Sequence, residues 1–348
     1  MANNRIFYAV QALGIESPSA SGNGIPLMED TGSGTITWMK GVQSVGITTN
    51  FNLEQAFELG QLAIYENIEN IPEIEVTAEK VIDGHELLYL TSCPSGNANI
   101  VVASNQKAGV YLAIYNDALT SASGTTGAVG IVYCSGMRPS TVSYTFPVEG
   151  NSTESITLVG NDKVWVTGVP QSGVTGGVGV NLGSGNYPVF PGIDGIANSP
   201  TGTIFRRQHF VVASSALPNE IKVATSSGKI QSISASVDLG RENIFELGSF
   251  RPYTKFTSFP VATTCDIEVI SLSGDRVNAA GAGGNLSNNQ ITLYFKNGSR
   301  FLNINLGAQN KLTSVNYTGG DAGGGNATMT FSYQGFNSFV VSTGVNAT

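Results

Sequence analysis

The sequence predicts an all-β protein made of two copies of one domain. Its 348 residues include 43 glycines and few long helix-forming stretches, a composition typical of short strands joined by turns. The segment from Val45 to Leu53 alternates apolar and polar side chains, which indicates a strand with one buried and one solvated face. The third observation is an internal repeat, and a chain of this length has room for two domains of ordinary size.

The repeat begins at residues 42–45, Val-Gln-Ser-Val, which return as Ile-Gln-Ser-Ile at residues 230–233. The motif Phe-Glu-Leu-Gly at residues 57–60 recurs at residues 245–248 with the same offset of 188 positions. Because several blocks share one offset, duplication of a whole domain explains them better than chance similarity.

A second match lies near the end of each half, at an offset of 173. Residues 142–145, Val-Ser-Tyr-Thr, correspond to residues 315–318, Val-Asn-Tyr-Thr, and residues 156–158 correspond to residues 329–331. The change of offset from 188 to 173 predicts that the second copy lacks fifteen residues that the first copy has.

These matches divide the chain into three parts. Residues 1–166 are expected to form the first copy and residues 203–348 the second. Residues 167–202 are rich in glycine, proline and serine, which is typical of a linker or a long excursion.

The long strand of the first copy has a clear counterpart in the second, where Ile233, Ala235, Val237 and Leu239 alternate with polar residues. After Pro72 and Pro260 the alternation of the two copies falls out of step. Because a slip of one residue turns every side chain to the other face, we expect a one-residue insertion or bulge just after Pro260.

Other local signals are few. One short helix per copy is compatible with the sequence, and in the first copy it would lie in residues 85–91 or in residues 107–115. Lys296–Ser299 contains Asn-Gly between two apolar runs, which predicts a hairpin with a type I′ turn.

The charge of the chain excludes some classes of function. The net charge is -8, and no cluster of lysine or arginine could neutralise several phosphates, so tight nucleic-acid binding is not expected. The N-terminal segment, Met-Ala-Asn-Asn-Arg, has no signal-peptide pattern, and no apolar run is long enough to cross a membrane. We therefore expect a protein made in the cytoplasm without a membrane anchor. Charged residues are only 12% of the chain, against roughly 25% in ordinary soluble domains, so much of the surface is expected to be neutral polar or covered by other subunits.

No catalytic, cofactor or metal site is predicted. His85 and His209 stand in no metal-ligand spacing, and the three cysteines form no Cys-x-x-Cys pair and are expected to be buried thiols. The glycine-rich segment 176–183 lacks the last glycine of a dinucleotide-binding loop and is not flanked by a βαβ unit. We therefore expect that the protein is not an enzyme and has no cofactor.

One concentration of charge stands out. Seven glutamates, with no lysine or arginine among them before residue 80, are Glu54, Glu58, Glu66, Glu69, Glu73, Glu75 and Glu79. They form either a solvated sheet face or an electrostatic surface, and such a surface would repel DNA or face a basic partner.

Several segments together resemble the tail tube proteins of tailed bacteriophages. They are Arg-Ile-Phe-Tyr-Ala-Val from residue 5, Gly-Val-Gln-Ser-Val-Gly-Ile from residue 41, the Phe57–Tyr65 turn, Pro-Glu-Ile-Glu-Val-Thr-Ala-Glu-Lys-Val-Ile-Asp-Gly from residue 72, and Val142–Lys163. The resemblance covers most of the first copy and, more weakly, residues 204–335. It implies β-sandwich or barrel-like domains whose sheets join side by side into a sixfold ring, with rings stacked into a hollow conduit for DNA.

The tandem copy departs from the usual single-domain subunit of that family. Three chains of two domains each would supply the six positions of a ring, so the resemblance implies a homotrimeric, pseudo-hexameric ring. Implied partners are further copies of the chain and other tail proteins such as sheath, baseplate and terminator, with genomic DNA passing through without tight binding. The implied location is the virion tail, assembled in the host cytoplasm.

The channel wall of such a tube should offer small neutral or acidic groups. We expect the polar faces of the two long strands to line it, namely Ser44, Thr48, Asn50 and Asn52 with Ser232, Ser234, Ser236 and Asp238. The loop at residues 15–34 is expected to reach a neighbouring ring.

Two alternatives stay open. One is a baseplate hub or tube-end adaptor with the same fold. The other is a receptor-binding virion protein, which would expose aromatic side chains to carbohydrate. Trp38 and Trp165 are the two tryptophans of the chain and are expected in the core.

Overall fold

The structure is a computed structural model that describes residues 6, 11–16, 36–60, 62, 64–93, 98–100, 106–115, 130–167, 203–218, 221, 229–250, 252–272, 287–320 and 325–345. The predicted linker from residue 168 and most of the loop at residues 15–34 lie outside these ranges, so their assignments stay predictions.

The described residues are mostly strands, which confirms the all-β prediction. In the first copy the elements are β1 Gln11–Glu16, β2 Ile36–Trp38, β3 Val42–Asn50, β4 Leu53–Phe57, β5 Ile64–Glu69, β6 Glu73–Val81, α1 Leu88–Ser92, β7 Ala98–Asn99, β8 Ala108–Ile114, β9 Gly130–Pro147, β10 Thr153–Gly160 and β11 Asp162–Thr167. In the second they are 3-10 helices Arg207–His209 and Val212–Ser214, then β12 Ile230–Asp238, β13 Arg241–Ile244, β14 Thr254–Thr257, β15 Ala262–Ile270, β16 Thr292–Asn297, β17 Arg300–Asn305, β18 Lys311–Thr318, β19 Thr328–Phe336 and β20 Val340–Val345.

One antiparallel sheet runs through both copies in the order β18-β19-β15-β12-β9-β10-β6-β3. The first copy contributes β3-β6-β10-β9, and the second contributes β12-β15-β19-β18 in the same internal order. The copies meet where β12 pairs with β9, with Ser236 opposite Ser143. The two halves are therefore not separate sandwiches in this sheet but neighbours joined edge to edge.

The bulges of the two copies coincide, which supports the offset of 188 between β3 and β12. In β3, Val42 pairs with Lys80 and Ser44 with Glu79, so Gln43 is the bulged residue. In β12, Gln231 is skipped in the same way. Each bulged glutamine donates its side-chain amide to the backbone carbonyl two residues earlier, at 3.2 Å in both copies.

The one-residue insertion expected after Pro260 is confirmed by the register. Val45 lies opposite Ala78 in the first copy, and Ile233 lies opposite Ile267 in the second. The offset is therefore 188 between β3 and β12 but 189 between β6 and β15. With the extra residue counted, buried and exposed side chains alternate in the same way in both copies.

The second block of matches needs one correction. Val142 lies opposite Ile156, whereas Val315 lies opposite Phe331, not Met329. The offset of 173 therefore holds from β9 to β18, but from β10 to β19 it is 175. The sequence similarity was misleading because the turn before β19 is two residues longer in the second copy, and a two-residue shift preserves the alternation of side chains.

Two local predictions are also resolved. The helix lies at Leu88–Ser92, which overlaps the candidate segment 85–91 and extends one residue beyond it, and most of the other segment is strand β8. The hairpin at residues 296–299 exists, but Asn297 pairs with Arg300, so its loop is Gly298 and Ser299. Only Gly298 has a positive φ, 59°, which fits a type II′ turn and not the predicted type I′.

One face of the main sheet is apolar and carries the core. Its buried residues from both copies join one hydrophobic cluster with residues of α1, of β1 and β8, which are connected to the main sheet through β9, and of the sheet β16-β17-β20. We call these packing elements the second layer. Phe146 of the first copy stacks on Phe295 of the second at a centroid distance of 4.0 Å. The packing of the core therefore reinforces the edge-to-edge joint.

A buried carboxylate holds α1 against the sheet. Glu154, fully buried on β10, accepts hydrogen bonds from the backbone N–H groups of Leu88 at 2.7 Å and Tyr89 at 3.0 Å. The hydroxyl of Tyr144 donates a third bond at 2.8 Å. Burial raises the pKa of this carboxyl group, and the three donors act against that shift.

We expect Glu154→Ala to be the most destabilising single change near α1, because three buried donors lose their acceptor. At about 1–3 kcal/mol for each of the three unsatisfied donors, the loss of unfolding free energy is about 3–9 kcal/mol. Urea denaturation measures it. The matched control is Glu149→Ala, an exposed position where the change should stay within about 0.5 kcal/mol. Equal midpoints for the two variants would contradict the assigned role.

Candidate functional surfaces

The solvent-facing side of the main sheet is polar across all eight strands; we call it the polar face. Directly opposed residues share a face, so the pairing register identifies its members. They are Ser44, Gly46, Thr48 and Asn50; Glu73, Glu75, Thr77 and Glu79; Ser155 and Thr157; Thr141, Ser143 and Thr145; Ser232, Ser234, Ser236 and Asp238; Thr264, Asp266 and Glu268; Thr330, Ser332 and Gln334; and Ser314, Asn316 and Thr318.

The polar face is open to solvent along its whole width. None of the residues named above is buried; at the margin of the face the register adds Val81 and Arg138, which are buried. Its charged members are all carboxylates, namely Glu73, Glu75, Glu79, Asp238, Asp266 and Glu268. Two cations lie in the same rows: Arg138, which is buried and stands opposite Val159 in the row of Glu75, and Lys311, opposite Gln334 at the start of β18. Hydroxyl pairs such as Ser236 and Thr264, at 2.7 Å, satisfy neighbouring side chains locally.

The structure places the predicted lumen residues on this one face, with Asn52 just beyond β3 in a turn with φ of 47°. It divides the glutamate cluster in two. Glu73, Glu75 and Glu79 lie on the polar face, and the other four, Glu54, Glu58, Glu66 and Glu69, lie on the β4–β5 hairpin and its turn. The cluster is therefore not a single surface, because the chain leaves the main sheet between β3 and β6.

Sequence reasoning missed the two hairpins that project from the sheet. The β4–β5 hairpin spans residues 53–69, and the β13–β14 hairpin spans residues 241–257. They expose large apolar side chains at equivalent positions, namely Phe57, Leu59, Leu62 and Tyr65 in the first and Phe245, Leu247, Phe250 and Tyr253 in the second. Leu59 and Leu247 are fully exposed, at 103% and 104%. The signal was available, since Phe-Glu-Leu-Gly is repeated, but the motif was interpreted only as a turn.

The sheet ends in two strands, β3 and β18, that have a partner on one side only within the described residues. Backbone groups alternate in direction along a strand. The Val81 N–H donates to the Gly41 carbonyl at 2.9 Å, so Val81 and every second residue of β6 direct their backbone groups toward β3. Their partners in β3 direct their backbone groups toward β6. The backbone groups of the intervening residues Val45, Ile47 and Thr49 therefore point away from the sheet.

The outward-pointing backbone groups of β18 are identified in the same way. The bond from the Asn337 N–H to the Val261 carbonyl, at 2.9 Å, fixes the residues of β19 that face β15. The alternate residues of β19 face β18, so the outward backbone groups of β18 belong to Val315 and Tyr317. Each end of the sheet therefore presents a row of backbone N–H and C=O groups that have no partner in the described part of the chain.

Other predicted residues have structural surroundings. Cys93, Cys134 and Cys265 are buried thiols, as expected, and burial raises the pKa of Cys93 and of Cys134 to about 12. Burial lowers the pKa of His85 and of His209. The described residues contain no group of three or more side chains that could hold a metal ion.

Trp165 was expected in the core, and this was wrong. Its side chain is 63% exposed on β11, and Trp38 is half-buried. β11 pairs only with β9 in the described chain, so it lies at a sheet edge, where an outward-facing side chain reaches solvent. No helix in the described residues is long and apolar enough to cross a membrane.

Comparison with known proteins gives little. No protein family matches the sequence, and no curated protein matches it. Among solved structures, one chain of a structure titled "Cryo-EM structure of the anti-feeding prophage (AFP) baseplate, 6-fold symmetrised" aligns with 12% identity and a TM-score of 0.32. The alignment covers 48% of this chain and 98% of that chain.

Proposed function

We propose that the protein is a structural subunit of a phage tail tube, and that three chains close into a pseudo-hexameric ring around a channel through which DNA passes. The observation that carries the proposal is the continuous sheet: each chain already joins two equivalent four-stranded units side by side and leaves one free edge at each end. A heterologous contact of this kind, repeated head to tail, closes into a ring when the rotation allows it.

The composition of the polar face indicates which side of the sheet faces the proposed channel. A wall along which DNA slides must not hold phosphates. Between the Lys311 end and the β3 edge the exposed charges of this face are carboxylates, because Arg138 is buried. The opposite face of the same sheet is occupied by the core. In the proposed ring the polar face therefore lines the lumen, and the second layer lies outside.

The hairpins supply the remaining contacts with other copies of the chain. Exposed apolar patches on a folded protein mark association surfaces. Because both hairpins carry the same apolar residues at an offset of 188, both have equivalent surroundings in the assembly. In a ring with pseudo-sixfold symmetry the two hairpins have the same neighbours. A partner protein that binds only one of the two hairpins would leave the apolar residues of the other hairpin unexplained.

Electron cryo-microscopy of the purified protein tests the function. The expected result is stacked rings, each with six sheet units from three chains and with the polar face toward the channel. Single rings that never stack would favour a hub or adaptor. Monomers at all concentrations, or a ring with the polar face outside, would contradict the proposal.

We expect that replacing Phe57, Leu59, Phe245 and Leu247 by serine prevents stacking while the chain stays folded. All four side chains are at least 60% exposed, so each change should alter the unfolding free energy by no more than about 0.5 kcal/mol. Sedimentation and negative-stain microscopy measure the assembly. The control replaces the interleaved Glu58 and Glu246 by serine and should assemble normally; equal assembly of both variants would exclude the hairpins as contacts.

A further inference from the structure

The internal joint between the two copies gives a template for the contact between two chains. At this joint β12 runs antiparallel to β9, with Ser234 opposite Thr145 and Ser236 opposite Ser143. By the repeat, β3 is the counterpart of β12 and β18 is the counterpart of β9. The two free edges of the sheet are therefore the two halves of the same joint, separated onto opposite ends of one chain.

We propose that β3 of one chain pairs with β18 of a second copy in the register of the β9–β12 joint, a proposal that rests on the ring assembly above. Subtracting 188 from β12 and adding 173 to β9 gives the opposed residues. They are Gly46 with Thr318, Ile47 with Tyr317, Thr48 with Asn316, Thr49 with Val315 and Asn50 with Ser314.

The backbone directions agree with this register. At the internal joint the Leu239 N–H donates to the Ser140 carbonyl at 2.7 Å, and the Val148 N–H donates to the Gln231 carbonyl at 2.8 Å. Between these two bonds, every second opposed pair is hydrogen-bonded, including Ala235 with Tyr144 and Val237 with Val142. The counterparts of these two pairs across chains are Ile47 with Tyr317 and Thr49 with Val315. These four residues are also the ones whose backbone groups point outward from the two edges. The outward directions were obtained from the β3–β6 and β18–β19 pairs and not from the internal joint, so the agreement is independent.

The side chains also agree. Val45 and Ile47 of β3 and Val315 of β18 are partly buried and pack against the core, so the joint continues the apolar side of the sheet without a step. On the other side Thr48 and Asn316 are exposed, as polar-face members.

Natural edge strands use charge or proline against pairing, and these two edges carry little of either. Lys163 of β11 donates a hydrogen bond to the Thr49 hydroxyl at the end of β3. β3, Val-Gln-Ser-Val-Gly-Ile-Thr-Thr-Asn, has neither, and β18 has one lysine at its first residue and none in the six residues from Thr313 to Thr318. An unprotected edge at both ends of one sheet fits a surface that is paired in the functional state.

Disulfide trapping tests the register. Thr48 and Asn316 correspond to Ser236 and Ser143, a pair that is not hydrogen-bonded, so their Cα atoms should lie about 4.5 Å apart. This separation is within the range that a disulfide spans. The native cysteines are buried and should not compete.

The variant Thr48→Cys with Asn316→Cys, oxidised with copper phenanthroline, should give covalent dimers and trimers on a non-reducing gel and no larger species. The positive control is Ser143→Cys with Ser236→Cys, which should close within one chain. The register control is Thr48→Cys with Thr318→Cys, a diagonal pair about 7–8 Å apart, and should link at least about tenfold less.

The outcomes separate the register from the function. Rings in which the diagonal pair links better would overturn the register and leave the ring in place. Efficient linking of Thr48→Cys with Asn316→Cys in ladders longer than three chains would support the strand pairing and contradict the three-chain ring. Unlinked monomers that do not assemble would overturn both.

Discussion

Tyr317→Pro is expected to leave the chain folded and to abolish assembly. The Tyr317 N–H points away from β19, so proline removes no hydrogen bond within the chain, and proline is tolerated on an edge strand when its nitrogen faces solvent. In the proposed joint the same N–H is required opposite Ile47, and the proline ring would also obstruct the partner strand. Size-exclusion chromatography with light scattering should show monomers.

Tyr317→Ala is the matched control because it removes the same side chain, which is 42% exposed, and keeps the N–H. It should still assemble. If Tyr317→Pro forms normal rings, β18 is not an interface, and if both variants fail to assemble, the side chain and not the strand edge makes the contact.

A mixture of two blocked chains gives a sharper result. Thr49→Pro blocks the β3 edge, as Tyr317→Pro blocks the β18 edge, and each variant keeps the edge that the other lacks. The interface is heterologous, so the two variants should form a one-to-one dimer and nothing larger. Trimers or filaments in the mixture would contradict the edge pairing.

The repeat was the most reliable guide to this fold. Gln43 and Gln231 were matched from sequence alone, and both are bulged residues with the same side-chain bond. Alternation detected the extra residue after Pro260 because a single insertion reverses the side-chain pattern. The same test could not detect the two extra residues before β19, because an even shift leaves the alternation unchanged and a short match of apolar residues then fits either alignment.

The joint between the copies was not predictable from the sequence. The pairing of β12 with β9 depends on backbone N–H and C=O groups, which nearly every residue carries. No particular residue type in the sequence therefore predicts this pairing. The predicted lumen residues were found from the polar half of the alternation, but the contribution of β10, β15 and β19 to the same face requires the strand order. The hairpins were missed because exposed apolar side chains look like core residues in a sequence.

Thr48→Lys combined with Ser236→Lys is expected to make the proposed channel retain DNA. The two positions are equivalent by the offset of 188, and both lie on the polar face without being buried. In the proposed ring, three chains would therefore place six lysines at regular spacing. Because charges act over a Debye length of about 8 Å at physiological salt, passing phosphates would meet them in every ring.

Filter retention of linear DNA by purified tubes measures the effect. Tubes of the unaltered protein should retain little, and tubes of the double variant should retain DNA in a manner that weakens steeply as salt is raised, as counterion release requires. The control places the same two charges outside the sheet, as Gln208→Lys with Ser214→Lys on exposed 3-10 helical positions. If the control tubes retain DNA equally, or if the polar-face variant assembles and retains none, the polar face does not line the channel.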